Sequence, residues 1–231
     1  MDRQLSEQHR IIAFGDIHGC RRTLAALLEQ LDPEPSDQLV FLGDVIDRGS
    51  NSRGVIDDLI TLADRYRCFF VMGNHELLLL ESLETGDSSL WLDNGGSATL
   101  SSYHTADSSG LPQNHIDFLR SFNYYIESDT FIFVHGGLDP EMSVRDNIRF
   151  MQPSDFCWMR THLRRSFLET GRYQWEKTVV CGHTPMPEVI NQKKLISLDT
   201  GCVYTDTPSL GRLSAVVLPE RRIVQTGNID T

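Results

Sequence analysis

No apolar run in this 231-residue chain comes near the roughly 20 residues that a bilayer-spanning helix requires. The first ten residues, MDRQLSEQHR, are polar and charged and lack the apolar core of a signal peptide. A soluble, cytoplasmic chain with no membrane partner is therefore expected. Positive charge is short: 21 Lys and Arg stand against 32 Asp and Glu, for a formal net charge of -11. Such a surface offers nothing to a nucleic-acid backbone and repels anionic substrates at long range, so any anion site must be locally positive. Cysteine is sparse. Cys20, Cys68, Cys157, Cys181 and Cys202 are odd in number and never form a C-x-x-C pair, which argues against a disulfide framework and a thiolate zinc site and leaves reduced thiols. Repeats of fixed period, low-complexity tracts and an obvious interdomain linker are missing too. With 40% hydrophobic residues the chain can bury a large core, and a single domain over 1–231, with its core over 11–218, is expected.

What is present is a recurring punctuation. IIAFGDIHGC at 11–20 runs apolar for four residues, stops at Gly15, and sets Asp16 and His18 two positions apart. A continuous apolar run suits a strand covered on both faces, and residues i and i+2 of an extended chain point the same way. LVFLGDVIDRG from Leu39, CFFVMGNHE from Cys68, FIFVHGG from Phe131 and VVCGHT from Val179 end alike, each at a metal-capable side chain beside glycine. Helix-like segments at 21–31 and 52–66 separate the first three runs, so a βαβαβ opening with parallel strands is expected. Ligands of such sheets bind beyond the carboxyl ends of the strands. Asp16, His18, Asp44, Asn74, His135 and His183 would then gather along one edge of the sheet, where glycine permits close backbone approach.

Further along, ELLLLESLE reads as a core helix, and DSSLWLDNGGSATLSSYHTADSSGLPQ as loop with short helices, a rim or cap. NHIDFLRSF reads as a short helix and YYIESDTFIFVHG as a hairpin turning at Ser128 and Asp129. KLISLDTG, RLSAVVLP and RRIVQTG have the spacing of an antiparallel meander, so a second sheet packed on the first is expected. Oxygen and imidazole donors without cysteine suit Mn²⁺, Fe²⁺ or Zn²⁺. Six candidate ligands exceed the three protein ligands typical of one catalytic zinc. Two ions sharing a bridging Asp fit better, and their surplus positive charge would attract phosphate despite the acidic surface.

GDIHG, GDVIDRG, GNHE, HGG and GHT, in that order, resemble the signature of the phosphoprotein phosphatase family of binuclear metallophosphoesterases. WLDNGGSATLSSY, FCWMR, GHTPMPEVI and LDTGCVY resemble its small bacterial and bacteriophage lambda type members, and the likeness runs from Ile11 to Leu218. It implies an α/β fold: a four-layer αββα sandwich of two mixed β-sheets flanked by helices. It also implies one metal on Asp16, His18 and bridging Asp44, and another on Asp44, Asn74, His135 and His183. Mn²⁺ is the expected ion, with Fe²⁺ and Zn²⁺ as alternatives. Members attack phosphorus with a metal-bridging water or hydroxide. His75 is then the general acid, Asp47 its orienting partner, and Arg48 and Arg160 the phosphate-clamping arginines. The implied partner is a phosphoprotein or small phosphoester, without a regulatory subunit.

Blander readings stand beside these. His9, His104, His115 and His162 lie in no motif and are taken as ordinary surface or core histidines. Asp47 with Arg48 could be a turn or salt-bridge pair, Asn94-Gly95-Gly96 only a tight turn, and Glu76 either a first-turn dipole partner or a support for a ligand. TDTPSL at 205–210 departs from the glycine-rich passage of small relatives and could alter substrate entry. The leading functional reading is a serine/threonine protein phosphatase, the enzymatic rival a symmetrical dinucleoside tetraphosphate hydrolase, and the non-enzymatic rival a metal-stabilised binding module.

Overall fold

The computed structural model describes residues 5–230. The first four residues of the polar N-terminal stretch, and the last residue of the expected domain, lie outside them. β1 (Ile11–Phe14) leads into α1 (Arg21–Leu31), β2 (Gln38–Phe41) into α2 (Ser52–Arg65), and β3 (Arg67–Phe70) into α3 (Asn74–Thr85). Parallel pairing of Ile11 with Gln38, and of Gln38 with Arg67, sets the register of this βαβαβ opening. Helical spacing decides which faces are buried: α1 turns Leu24, Leu27 and Leu31 inward, and α2 turns Val55, Ile56 and Leu59. Asn51 caps α2 by accepting the Gly54 N–H at 2.9 Å. α4 (Ser89–Trp91), α5 (Ser97–Tyr103) and α6 (Gln113–Arg120) then lead to the hairpin β4 (Tyr125–Glu127) and β5 (Phe131–Val134), whose tip falls where the sequence places it. β6 (Thr178–Cys181), β7 (Ile190–Asn191), β8 (Leu195–Ser197), β9 (Arg212–Leu218) and β10 (Arg222–Gly227) complete the strands.

Two mixed sheets result, ordered β10-β9-β1-β2-β3 and β4-β5-β6-β8-β7. Between them Ala13, Val40, Val71 and Val216 of the first meet Phe133, Val180 and Ile196 of the second. The outer face of the first sheet, with Ile12, Phe14, Leu39 and Phe41, packs on the leucines of α1 and the apolar stripe of α2. On the outer face of the second, Ile132, Val134 and Val179 pack on Val144, Phe156 and Trp175. This is the expected four-layer arrangement.

Two expectations need correction. The tail strands do not form one meander: β8 pairs in parallel with β6 in the second sheet, whereas β9 runs antiparallel to β1 in the first, with β10 antiparallel beyond it at the edge. The loop from Leu198 to Gly211 carries the chain across, and because both strands are buried on both faces neither can sit in an exposed ribbon. Consequently the strand ends that carry the candidate ligands do not share one sheet edge. β1, β2 and β3 deliver theirs from one sheet, β5 and β6 from the other.

Phe14, Phe41 and Phe70, the last residues of the first three strands, stack at 4.8 and 5.3 Å between ring centroids, 13° and 11° from parallel. Each such pair adds about 0.5–1.5 kcal/mol beyond area burial. The ladder fixes the strand ends relative to one another just where the functional loops depart.

Candidate metal centre

Asp44 is the hub. Its Oδ2 lies 3.3 Å from His135 Nε2, 3.6 Å from His18 Nε2 and 3.9 Å from His75 Nε2. Two triads of metal-capable atoms share it, His18–Asp44–His75 and Asp44–His135–His183, each within 4.8 Å and all buried. Asn74 Oδ1 is 3.0 Å from His135 Nε2 and so joins the second triad. Asp16 is in neither: both its carboxylate oxygens accept the His183 backbone N–H, at 3.1 and 3.0 Å, tying the loop after β1 to the loop after β6 across the two sheets.

Local backbone geometry explains the glycines. A Cβ on Gly73 would stand 2.3 Å from Asp44 Oδ1, and one on Gly182 2.1 Å from Asp16 Oδ1, so no larger residue lets these carboxylates approach. Left-handed φ values at His18 (45°), Asp44 (49°), Asp47 (69°), Arg48 (67°) and His183 (70°) each cost energy that a fold retains where its surroundings enforce them. Such strain concentrates at functional sites.

Backbone carbonyls orient two of the imidazoles so that Nε2 points inward. His18 Nδ1–H donates to the Ile46 carbonyl at 2.8 Å and His135 Nδ1–H to the Leu42 carbonyl at 2.7 Å, leaving each Nε2 facing Asp44. His183 Nε2 and His75 Nε2 are buried without any hydrogen-bond partner. A buried orphan costs about 1–3 kcal/mol, a penalty that a cation on His183 would remove. Burial depresses His18 to about 3, and burial with the neighbouring His135 takes His183 to about 2, so both rings are neutral at physiological pH. At His135 burial also pulls down, but the Asp44 charge overcomes it and the ring rises to about 10. The same negative potential that holds that proton would hold a dication. Burial, then Asp199 and Asp44, push the Asp16 carboxyl up, a repulsion that a cation relieves. The donor set and its electrostatics therefore fit divalent metal.

The other candidates divide cleanly. His75 Nδ1–H donates to Asp47 Oδ2 at 2.8 Å, and Asp44 and Asp47 together raise the ring above its ordinary value against the pull of burial. Arg48 Nη1 donates to His18 Nε2 at 2.9 Å and its guanidinium lies 5.6 Å from the Tyr204 ring centroid. Arg160 is exposed, and its charge adds to the depression of His183. Each arginine thus attends one half of the cluster. Asn94 lies not in an isolated tight turn but in a helical stretch, Leu92–Gly96, kinked at Gly95 (φ 107°), and its side chain donates to the Leu90 carbonyl at 2.8 Å. His9 and His104 are exposed, while buried His115 bonds the Tyr103 hydroxyl at 2.7 Å.

The sequence leaves the role of Glu76 open between two readings and singles out neither Trp158, Trp91 nor Thr99. Glu76 receives the backbone N–H groups of Asp44 and Val45, each at 2.8 Å. Trp158 is 40% exposed and sets its edge on the His183 ring at 5.6 Å. Trp91 and Thr99, from the segment expected to be a rim, both donate to Asp47. Their only signal is membership of the WLDNGGSAT motif.

Two sheets in a four-layer α/β sandwich, with carboxylates and imidazoles meeting at their strand ends, define a metal-dependent hydrolase. Residues 9–217 match the family model described as calcineurin-like phosphoesterase, and the chain belongs to that family. It is 33% identical to a symmetrical bis(5'-nucleosyl)-tetraphosphatase of Janthinobacterium, covering 92% of this chain and 94% of that protein. It is 30% identical to serine/threonine-protein phosphatase 2 of Escherichia coli, covering 88% and 90%. A solved structure named "putative diadenosine tetraphosphatase" superposes with TM-score 0.73 at 26% identity, over 96% of this chain and 95% of that one. Among the described residues no helix is long and apolar enough to cross a membrane.

Proposed function

We propose that the protein is a metal-dependent phosphomonoesterase acting on phosphoserine and phosphothreonine in proteins. It would work as one cytoplasmic domain without a regulatory subunit. Asp16, His18 and Asp44 would hold one divalent ion, and Asp44, Asn74, His135 and His183 the other, with Mn²⁺ the expected metal. When bound, the ions supply Lewis-acid polarisation of the phosphoryl group and a nucleophile at neutral pH. Arg48 and Arg160 grip the phosphoryl oxygens with planar, always-charged forks. His75 delivers a proton from Nε2 to the departing oxygen, while Asp47 holds Nδ1 and stabilises the charged ring.

The single observation that favours this substrate class is the construction of His75: Nδ1 hydrogen-bonded to a buried carboxylate at 2.8 Å, Nε2 buried without a hydrogen-bond partner. A serine or threonine alkoxide is a poor leaving group and needs such an acid, whereas a nucleotide phosphate leaves with little help. The second reading, hydrolysis of dinucleoside tetraphosphates, is favoured by the name of the relative at 33% identity. Phosphoserine and phosphothreonine peptides and diadenosine tetraphosphate, given separately to the Mn²⁺-loaded protein, discriminate by kcat/KM. Higher values for the peptides are expected; a strong preference for the dinucleotide would overturn the first reading, and no turnover of either would leave a binding module.

A further inference from the structure

Asp47 is fully buried, and its carboxylate is gripped from three segments of chain. His75 Nδ1–H reaches Oδ2 at 2.8 Å, Trp91 Nε1–H reaches Oδ2 at 3.0 Å and Oδ1 at 3.1 Å, and the Thr99 hydroxyl donates to Oδ1 at 2.6 Å. Thr99 Oγ1 in return accepts the Asp47 backbone N–H at 3.0 Å and lies 2.9 Å from Ser52 Oγ, which accepts the same N–H at 3.1 Å. Trp91 is itself locked: it is 1% exposed, and a Cβ on Gly96 would stand 2.5 Å from its indole. A carboxylate held by one donor can rotate about its Cβ–Cγ bond, and the imidazole bonded to it turns with it. Three donors from independent elements remove that freedom.

We propose that Thr99 and Trp91 are positioning residues for the proton-donating histidine: they fix the plane of the Asp47 carboxylate so that His75 Nε2 stays aimed at the leaving oxygen. This rests on the reading of His75 as general acid. The stretch from α4 through α5 is thus a clamp behind the acid, and its Trp and Thr act through Asp47 without touching substrate.

Thr99→Val keeps the shape and removes the hydroxyl; Thr99→Ser keeps the hydroxyl. With phosphoserine peptide, Thr99→Val is expected to lower kcat about tenfold, the scale of one lost hydrogen bond to a charged group, with KM and metal content unchanged. Thr99→Ser is expected to restore most of the rate. With p-nitrophenyl phosphate, whose leaving group needs no proton, both variants should match wild type. Equal losses on the two substrates, or no loss in Thr99→Val while His75→Asn is slow, would overturn the clamp. An unimpaired His75→Asn would instead remove the general-acid reading. The second readout needs no turnover: in zinc-loaded, histidine-labelled protein the Nδ1 proton of His75 should resonate far downfield, and move or broaden in Thr99→Val and in Trp91→Phe. A resonance unmoved in either folded variant would also overturn the proposal.

Discussion

Glu76 reaches back from the first turn of α3 and accepts the backbone N–H groups of Asp44 and Val45, each at 2.8 Å, along with that of Gly73 at 3.0 Å. The carboxylate therefore shapes the loop on which Asp44 sits, and it does so while fully buried, which lifts its pKa to about 7. Glu76→Gln keeps the size but turns an amide N–H₂ toward backbone donors that need an acceptor. Metal affinity is expected to fall by about 10- to 100-fold, as when an outer partner of a ligand is lost. Metal titration of the purified variant measures this. An unchanged affinity would mean that the loop holds its shape without the carboxylate.

His75→Asn should leave metal content nearly intact and slow the release of alkoxide leaving groups by about 10²–10⁴. The loss should shrink with phenolic leaving groups, because their oxygen departs as a stable anion. Rates on phosphoserine and aryl esters, with metal analysis alongside, check both halves. Equal loss on the two, with metal missing, would make His75 a ligand of the His18–Asp44–His75 triad instead of an acid.

That ambiguity shows how far the residues alone could be read. The apolar runs ending at Gly15, Gly43, Gly73, Gly136 and Gly182 announce strand ends, because a doubly covered strand must be apolar throughout, and those strands are present. Their division between two sheets was not legible, since β8 and β9 look alike as short apolar segments and only long-range pairing separates them. In the site, ligand-type side chains beside glycine stood out. Thr99 and Trp91 did not: they act by reaching a carboxylate 52 and 44 residues away in sequence, and no local pattern encodes such a distance.

Asp44→Asn tests the hub directly. Its carboxylate faces His18, His75 and His135 within 3.9 Å, so one substitution weakens both triads. Bound metal per chain and phosphoesterase rate are expected to fall together, in contrast to the rate loss alone at His75. Normal stoichiometry in the Asn variant would argue that Asp44 does not bridge.

A different histidine sets an acid limit to the fold. His162 is fully buried, its Nδ1 has no hydrogen-bond partner, and Nε2 lies 3.6 Å from the Cys181 sulfur. Gly137 passes so near that a Cβ there would stand 2.1 Å from the ring. Burial accordingly lowers the imidazole from 6.5 to about 4. Between those values the unfolded chain binds a proton that the folded chain refuses, so stability falls as pH drops through this window, by at most ~3 kcal/mol. Below about 4 both states are protonated and this contribution no longer changes. His162→Leu removes the titrating group while keeping an apolar side chain of moderate size. Its melting temperature should therefore fall less steeply than that of the wild type between pH 6.5 and 4, whatever its offset at pH 7. Parallel curves from the two proteins would show that the ring is protonated in the fold at its ordinary pH.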